Sequence, residues 1–217
     1  MPSKSSAVIS SPISVAPLSP IIFDGISYVC PSWNDMGEYT FALAQKIIAS
    51  GEKFDRVIAI AKGGWTWTRT LIDYLEIDDI SSVRIKSYTG VNSAAKPYLV
   101  QPLTDSIGGK KVLLFDEVID TGHTIKHAKS YLKTMGAQSV KVASLCYKPR
   151  SILKPDYFAF ETESWVVFPH ELREFITLSY NTWSGKGVSN AEIEKRLVSI
   201  GIPKNQVQYF ITLVRVV

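Results

Sequence analysis

The chain has 217 residues, 46% of them hydrophobic, which suits one globular domain with modest additions and a core that needs no disulfide or metal to hold it. Its 24 Lys and Arg exceed its 20 Asp and Glu only slightly and are scattered, so an anionic small ligand fits at least as well as nucleic acid, whose binders usually carry a clustered basic stripe. The two cysteines, Cys30 and Cys146, lie far apart, which excludes a zinc site and predicts reduced thiols in a cytoplasmic protein.

The first twenty residues predict a flexible or extended arm, because they hold seven Ser and four Pro. These residues interrupt the apolar side chains, so no signal-peptide core forms, and the lack of Arg argues against an organellar transit peptide. No apolar run in the chain approaches the roughly 20 residues that a transmembrane helix needs. We therefore expect no contact with a membrane.

The first predicted elements alternate between helix and strand. Residues 35–50 carry apolar side chains at helical spacing, and a short β-branched run over residues 56–61 predicts a buried strand. Residues 82–88 alternate like a second strand. Residues 89–109 have no clear period and predict a long loop, which is usually functional inside a compact domain.

The alternation continues in the second half of the chain. Residues 111–115 predict a buried strand, a helix follows as far as Gly136, and residues 139–147 predict another strand. Strands that alternate with helices predict an α/β fold with a doubly wound, mostly parallel sheet. Ligands of such folds bind at the carboxyl ends of the strands. Two turns rich in small residues, 62–64 and 120–124, follow strands at such ends.

The segment after residue 180 has a separate character. Ser189 and Glu192 form a capping-box pattern, which predicts a helix that ends at Gly201. A second helix is expected to begin near Pro203, although so β-branched a run also fits a strand. The predicted division of the chain is an arm (1–22), a central domain (23–180) and a C-terminal extension, mainly helical (181–217).

Residues 112–124 combine two kinds of recognition. The carboxylates of Asp116 and Glu117 would repel a phosphate, but they suit sugar hydroxyls or a metal ion with its waters. A phosphate monoester suits the backbone N–H groups that follow, because they lie at the N-terminus of the next helix. These N–H groups belong to Thr121, Gly122, His123 and Thr124. Phosphate at one end and a diol at the other describe a phosphorylated ribose.

The same segment resembles the thirteen-residue phosphoribosyl pyrophosphate (PRPP) motif of type I phosphoribosyltransferases. The motif has four apolar residues, two acids, two more apolar residues and then Asp-Thr-Gly-x-Thr, as in Val112–Thr124. The second acid of the family is normally Asp, whereas this chain has Glu117. Further motifs in residues 35–175 follow the order of the hypoxanthine/xanthine-guanine, or 6-oxopurine, branch. The resemblance implies the fold of this family, with a small hood beside the parallel sheet.

The resemblance also implies two loops around the PRPP molecule. Lys62, Gly63 and Gly64 look like the pyrophosphate loop, in which glycine lets the backbone approach the leaving group and Lys62 supplies charge. Ser87 and Tyr88 resemble the start of the catalytic loop that covers PRPP and excludes water.

On the side of the base, Lys148 matches the lysine that meets the purine O6. Trp165 and Val166 resemble the aromatic-aliphatic pair that stacks on the base and contacts it through backbone atoms. Glu171 takes the place of an Asp that helps to hold Mg²⁺ and pyrophosphate. The implied metal ligands are therefore Asp116, Glu117 and Glu171.

The activity implied by the resemblance is transfer of the phosphoribosyl group from PRPP to hypoxanthine, guanine or xanthine, with Mg²⁺ as cofactor. The products would be a nucleoside monophosphate and pyrophosphate, as in purine salvage. Lys62 would stabilise the charge on the leaving pyrophosphate, and Asp120 is the candidate acceptor of the purine N7 proton. A homodimer or homotetramer is expected. The alternatives are transfer to another base, or a non-catalytic PRPP-sensing regulator, although residues 1–34 are too short and Ser/Pro-rich for a helix-turn-helix.

Overall fold

A computed structural model describes Val15 and residues 18–87 and 97–216. The chain divides into two compact units: of the described residues, the first holds Val15 and residues 37–87 and 97–162, and the second holds residues 18–36 and 163–216. In chain order the elements are β1 (Ile21–Phe23), β2 (Ile26–Val29), α1 (Trp33–Ala49), β3 (Arg56–Ala61), α2 (Gly63–Leu75), β4 (Ile80–Ser87), β5 (Pro97–Gln101), β6 (Lys111–Ile119), α3 (His123–Thr134), β7 (Ser139–Tyr147), β8 (Tyr157–Glu161), β9 (Trp165–Val166), α4 (Leu172–Gly185), α5 (Asn190–Ile200) and α6 (Lys204–Val216).

The first unit is built on a six-stranded sheet in the order β5-β4-β3-β6-β7-β8. All neighbouring strands are parallel except β4 and β5, which are antiparallel. The chain moves outward from β3 to β4 in one direction and from β6 to β7 in the other. Because β-α-β connections are right-handed, α2 and α3 lie on opposite faces of the sheet. The predicted doubly wound, mostly parallel α/β sheet is confirmed.

The central strands form because they are apolar on both faces. Every residue of β3 is buried, and so are the four residues Val112–Phe115 of β6. Such continuous runs of apolar residues are typical of parallel strands that are covered by helices on both sides. Helix α3 adds Ile125, Ala128 and Leu132 to the core, one turn apart on the same face. The rigid centre of the sheet fixes where β3 and β6 end.

One predicted loop is partly wrong. Residues 89–109 contain β5, which pairs antiparallel with β4 at the edge of the sheet. Only Leu99 of this strand packs against the core, while Tyr98 and Val100 remain about 40% exposed. Because only one residue of β5 faces the core, its sequence does not show the alternation of apolar and polar residues that is typical of a strand. Pro97 is tolerated because it is the first residue of an edge strand.

The second unit contains a three-stranded sheet in the order β1-β2-β9, together with helices α4, α5 and α6. Tyr28 of β2 packs edge-on against Phe175 and Trp183 of α4, with ring centroids 5.8 and 6.4 Å apart. The predicted small hood and helical C-terminal extension are confirmed, and the strand alternative for the last segment is wrong. None of the described helices combines the length and the apolar character that crossing a membrane requires.

The capping box of α5 forms as the sequence predicts. The side chain of Ser189 accepts a hydrogen bond from the backbone N–H of Glu192 at 3.3 Å. The helix ends at Gly201, whose φ of 117° lies in the left-handed region that favours glycine. Both ends of α5 are therefore encoded locally.

We expect Ser189→Ala to lower the free energy of unfolding by about 1 kcal/mol, because it leaves a helix N–H without its side-chain acceptor. Ser130→Ala is the matched control, since Ser130 is exposed in the interior of α3, where alanine is the better helix former. Urea denaturation of the two variants measures the difference. Equal midpoints would show that the cap contributes nothing.

Candidate active site

Several predicted site residues follow strands of the parallel sheet at the same edge. Lys62 follows β3, Asp120 follows β6 and Lys148 follows β7. Ile119, the last residue of β6, lies beside Tyr147, the last residue of β7, so these two strands end side by side at the same edge of the sheet. The adjacent strands β3 and β6 are those at which the chain reverses its direction across the sheet. Such a switch point opens a crevice where ligands of doubly wound folds bind.

The loop after β6 presents the start of a helix to this crevice. Gly122 is the N-cap residue of α3, with φ of 82°, and within the described residues no side chain caps the helix. Thr121 and His123 are exposed and Thr124 is half-buried. The first N–H groups of α3 therefore keep their hydrogen-bonding capacity at the positive end of the helix dipole. Such an arrangement suits an anion, as the sequence predicts for residues 121–124.

Asp116 and Glu117 lie just before this loop, near the end of β6. Asp116 is partly buried and accepts a hydrogen bond from the backbone N–H of Glu117 at 2.9 Å, while Glu117 is only 5% exposed. Burial, and then the neighbouring carboxylate of Glu117, raise the pKa of Asp116 well above its usual value. A cation or a hydroxyl donor would stabilise the ionised form of such a carboxyl group.

The glycine loop after β3 packs closely on β6. A Cβ atom added to Gly63 would overlap the carboxyl group of Glu117, and one added to Gly64 would lie 3.1 Å from the carbonyl oxygen of Phe115. Lys62 is exposed, and the peptide bond between Ala61 and Lys62 is cis. The approach of this loop to the acid-bearing strand thus leaves little space for a side chain at either position.

Asp120 forms an ion pair that the sequence did not predict. Arg150 donates from Nε and Nη2 to the Oδ1 atom of Asp120, at 3.0 and 2.5 Å. Arg150 lies thirty residues away along the chain, in the segment after β7. No spacing rule links two residues on different loops, so the only sequence signal was a basic residue two positions after Lys148.

The other predicted site residues divide between the two units. Lys148 is 5% exposed in the first unit, and its backbone N–H donates to Ile119 O at 3.0 Å. Ser87 is the last residue of β4, and Tyr88 lies outside the described residues. In the second unit, Trp165 is 46% exposed, Val166 is buried and Glu171 is the N-cap residue of α4.

Trp165 borders an apolar groove within the second unit. Its ring lies 6.5 Å from that of Phe175, and the groove also includes Tyr28 and Trp183. The nearly half-exposed indole offers a flat surface on which another ring can stack.

The two cysteines are free thiols. Burial, and then the charge of Asp35, raise the pKa of Cys30 to about 11. Burial raises the pKa of Cys146 to about 12; the charge of Lys148 lowers this pKa and the charge of Asp120 raises it, both by smaller amounts. Because the thiolate is the nucleophile, neither cysteine is activated at neutral pH.

We expect Gly63→Ala to lower the free energy of unfolding by about 1–3 kcal/mol, because the new methyl group meets the Glu117 carboxyl group. Gly37→Ala is the matched control, since a Cβ atom there meets nothing within 4 Å. Removing the obstacle with Glu117→Ala should restore most of the loss in the double variant. A loss that persists in the double variant would show that Glu117 is not the cause.

We expect Asp116→Asn to stabilise the protein at neutral pH. Because the pKa of Asp116 is raised in the folded protein, folding favours the protonated carboxyl group. The stability that this group contributes is complete below the usual pKa of 3.8 and is lost as the pH rises through the raised value. The neutral amide avoids that loss. Denaturation from pH 3 to pH 8 should show an advantage of the variant that grows with pH, and an advantage independent of pH would contradict the assignment.

Comparisons with known proteins identify the fold family. The model of the phosphoribosyl transferase domain family matches residues 40–174. The hypoxanthine-guanine phosphoribosyltransferase of Pan troglodytes is 31% identical over 118 residues, which are 48% of this chain and 54% of that protein. The chain therefore spans about half the length of the first of its curated relatives.

Two further proteins match over more of their own length. The hypoxanthine-guanine phosphoribosyltransferase of Streptococcus pyogenes serotype M3 is 24% identical over 188 residues, covering 84% of this chain and 96% of that protein. The crystal structure of a purine phosphoribosyltransferase from Pyrococcus horikoshii superposes with a TM-score of 0.60 at 34% identity, covering 65% of this chain and 93% of the other. With the PRPP motif at the end of β6, these matches confirm the predicted resemblance, and the chain belongs to the type I phosphoribosyltransferase family.

Proposed function

We propose that this protein transfers the phosphoribosyl group from PRPP to a 6-oxopurine, namely hypoxanthine, guanine or xanthine, and releases pyrophosphate and a nucleoside monophosphate. The observation that carries the proposal is the end of β6, where the Asp116–Glu117 acid pair precedes an uncapped helix start at Gly122. A glycine loop lies against the same strand. Together these features suit the diol, the 5′-phosphate and the pyrophosphate of one PRPP molecule.

In this mechanism the groups at the end of β6, at the start of α3 and in the glycine loop bind different parts of PRPP. The N–H groups at the start of α3 bind the 5′-phosphate dianion, aided by the hydroxyl groups of Thr121 and Thr124. The carboxylates of Asp116 and Glu117 accept hydrogen bonds from the ribose hydroxyls. Lys62 and the backbone of the glycine loop bind the pyrophosphate and stabilise the negative charge that grows on it as the glycosidic bond breaks.

The acid pair also fits Mg²⁺. Carboxylate oxygens are the ligands that this hard cation prefers, and burial together with the carboxylate of Glu117 raises the pKa of Asp116, so a nearby cation would favour its ionised form. Asp116 and Glu117 would hold the ion, and the sequence adds Glu171 as a predicted ligand. When bound, Mg²⁺ supplies a positive charge for the leaving pyrophosphate.

Asp120 and Lys148 are assigned to polar atoms of the purine. Asp120 accepts the N7 proton as the bond to N9 forms, and the ammonium group of Lys148 donates to O6. Lys148 is buried, so its recognition of the base takes place away from bulk water, where a hydrogen bond to a charged group discriminates strongly. For Trp165 and Val166 the family resemblance implies stacking on the base and a backbone contact with it.

The proposal is tested by measuring pyrophosphate release from PRPP and Mg²⁺ with hypoxanthine, guanine, xanthine, adenine and uracil. Turnover with at least one 6-oxopurine is expected. Turnover with uracil alone would mean that the enzyme acts on a base other than a 6-oxopurine. PRPP binding without turnover of any base would favour the regulatory alternative. Sedimentation of the same sample tests the predicted homodimer or homotetramer.

We expect Thr124→Ala to weaken binding of PRPP and of the nucleoside monophosphate by about tenfold or more, since a charge-assisted hydrogen bond contributes roughly 1.5–3 kcal/mol. Thr134→Ala is the matched control, because this exposed threonine lies at the far end of the same helix and donates to Tyr131 O. Calorimetric titration measures both variants. Wild-type affinity in Thr124→Ala would remove this hydroxyl group from the site.

We expect adenine to be a poor substrate. The Lys148 ammonium offers donors only, and adenine presents a 6-amino donor in place of the 6-oxo acceptor. Sites built on such a polar contact reject the mismatched analogue by roughly 10⁴–10⁵-fold. Stacking on Trp165 does not offset this loss, because every purine has a similar face. Comparing kcat/KM for the four purines tests the prediction, and adenine as the best substrate would contradict the role of Lys148.

A further inference from the structure

We propose that Arg150 is a positioning residue for Asp120, which holds one carboxylate oxygen of Asp120 and leaves the other for the purine proton. The proposal rests on the proposed function, in which Asp120 is the proton acceptor. Arg150 donates from Nε and Nη2, and both hydrogen bonds end on Oδ1, at 3.0 and 2.5 Å. Within the described residues Asp120 has no hydrogen bond to Oδ2. Two donors on one oxygen thus fix the rotation of the carboxylate and assign the second oxygen to the ligand.

Arg150 is itself held by the loop that carries Asp120. The backbone N–H of Lys148 donates to Ile119 O at 3.0 Å, and that of Ile152 donates to Thr121 O at 3.1 Å. These two bonds lie on either side of Arg150 along the chain and on either side of Asp120 on the facing loop. The guanidinium and the carboxylate are therefore carried by backbones that are hydrogen-bonded to each other.

Side-chain packing strengthens the same contact. A Cβ atom added to Gly122 would overlap Ser151 Oγ and would lie 3.1 Å from the backbone nitrogen of Leu153. Gly122 also has φ of 82°, so glycine is required there for two reasons. The loop that starts at Asp120 thus rests on residues 148–153, and Arg150 is the charged side chain of that support.

The solvent exposure of the Arg150 and Asp120 side chains indicates that their ion pair positions Asp120 rather than stabilises the fold. The side chains of Arg150 and Asp120 are 54% and 49% exposed, and ion pairs at such exposure contribute little to folding. A misplaced catalytic group, in contrast, slows a reaction severely even when it shifts by about 1 Å. Loss of Arg150 should therefore change the rate and leave stability unchanged.

The first test is Arg150→Gln under the pyrophosphate-release assay with a 6-oxopurine. We expect kcat to fall by about tenfold or more, while KM for PRPP and the melting temperature stay within error of the wild type. Arg150→Lys should recover part of the rate, because it restores the charge without the two-donor geometry. The matched control is Arg69→Gln, which breaks an exposed Arg–Asp pair at 3.3 Å elsewhere in the same unit and should leave kcat unchanged. A wild-type kcat in Arg150→Gln would overturn the proposal.

A double-mutant cycle with Asp120→Asn shows whether Arg150 acts through Asp120. In the Asp120→Asn background, Arg150→Gln should lower kcat by less than about twofold, because the carboxylate that it positions is already gone. Multiplicative losses would mean that Arg150 acts on the substrate directly, and would overturn this proposal while leaving the proposed function intact. A wild-type protein that releases no pyrophosphate with any base would instead overturn the proposed function, and this proposal with it.

Discussion

The close approach of the β3 and β6 ends is the constraint on which the site depends. A parallel sheet that reverses its winding at these two strands leaves their carboxyl ends side by side, without a helix between them. The approach is so close that Gly64 lies against the Phe115 carbonyl and Gly63 lies against Glu117. A Cβ atom at either glycine would therefore meet a group of β6.

The charges at this edge also follow from the geometry. The proposed phosphorylated substrate would be attracted by positive potential, yet the end of β6 carries acids. The conflict is resolved by distance along the chain, since the acids precede the helix start and the N–H groups follow it. The raised pKa of Asp116 shows the cost of placing two carboxyl groups together in a partly buried position. In the proposed function, sugar hydroxyls or a cation would offset that cost.

The sequence predicted best what is encoded locally. Buried strands such as β3 and the capped helix α5 were predicted because their signals lie within six to twelve consecutive residues. The loop after β6 was predicted from a motif of the same kind. Strand β5 was missed because only Leu99 faces the core, and the Asp120–Arg150 pair was missed because it joins two loops thirty residues apart. Contacts set by the register of β6 and β7 have no local signature, so they become visible only once the sheet is assembled.

The packing of Gly63 against Glu117 gives a physical consequence to the replacement of the family's usual Asp by Glu at position 117. The family normally has Asp there, and the additional methylene of Glu brings the carboxyl group to the position that a side chain at residue 63 would need. The glycine and the glutamate therefore constrain each other, although one begins α2 and the other lies on β6. The longer acid on β6 therefore leaves less space for a side chain at residue 63 than an aspartate would leave.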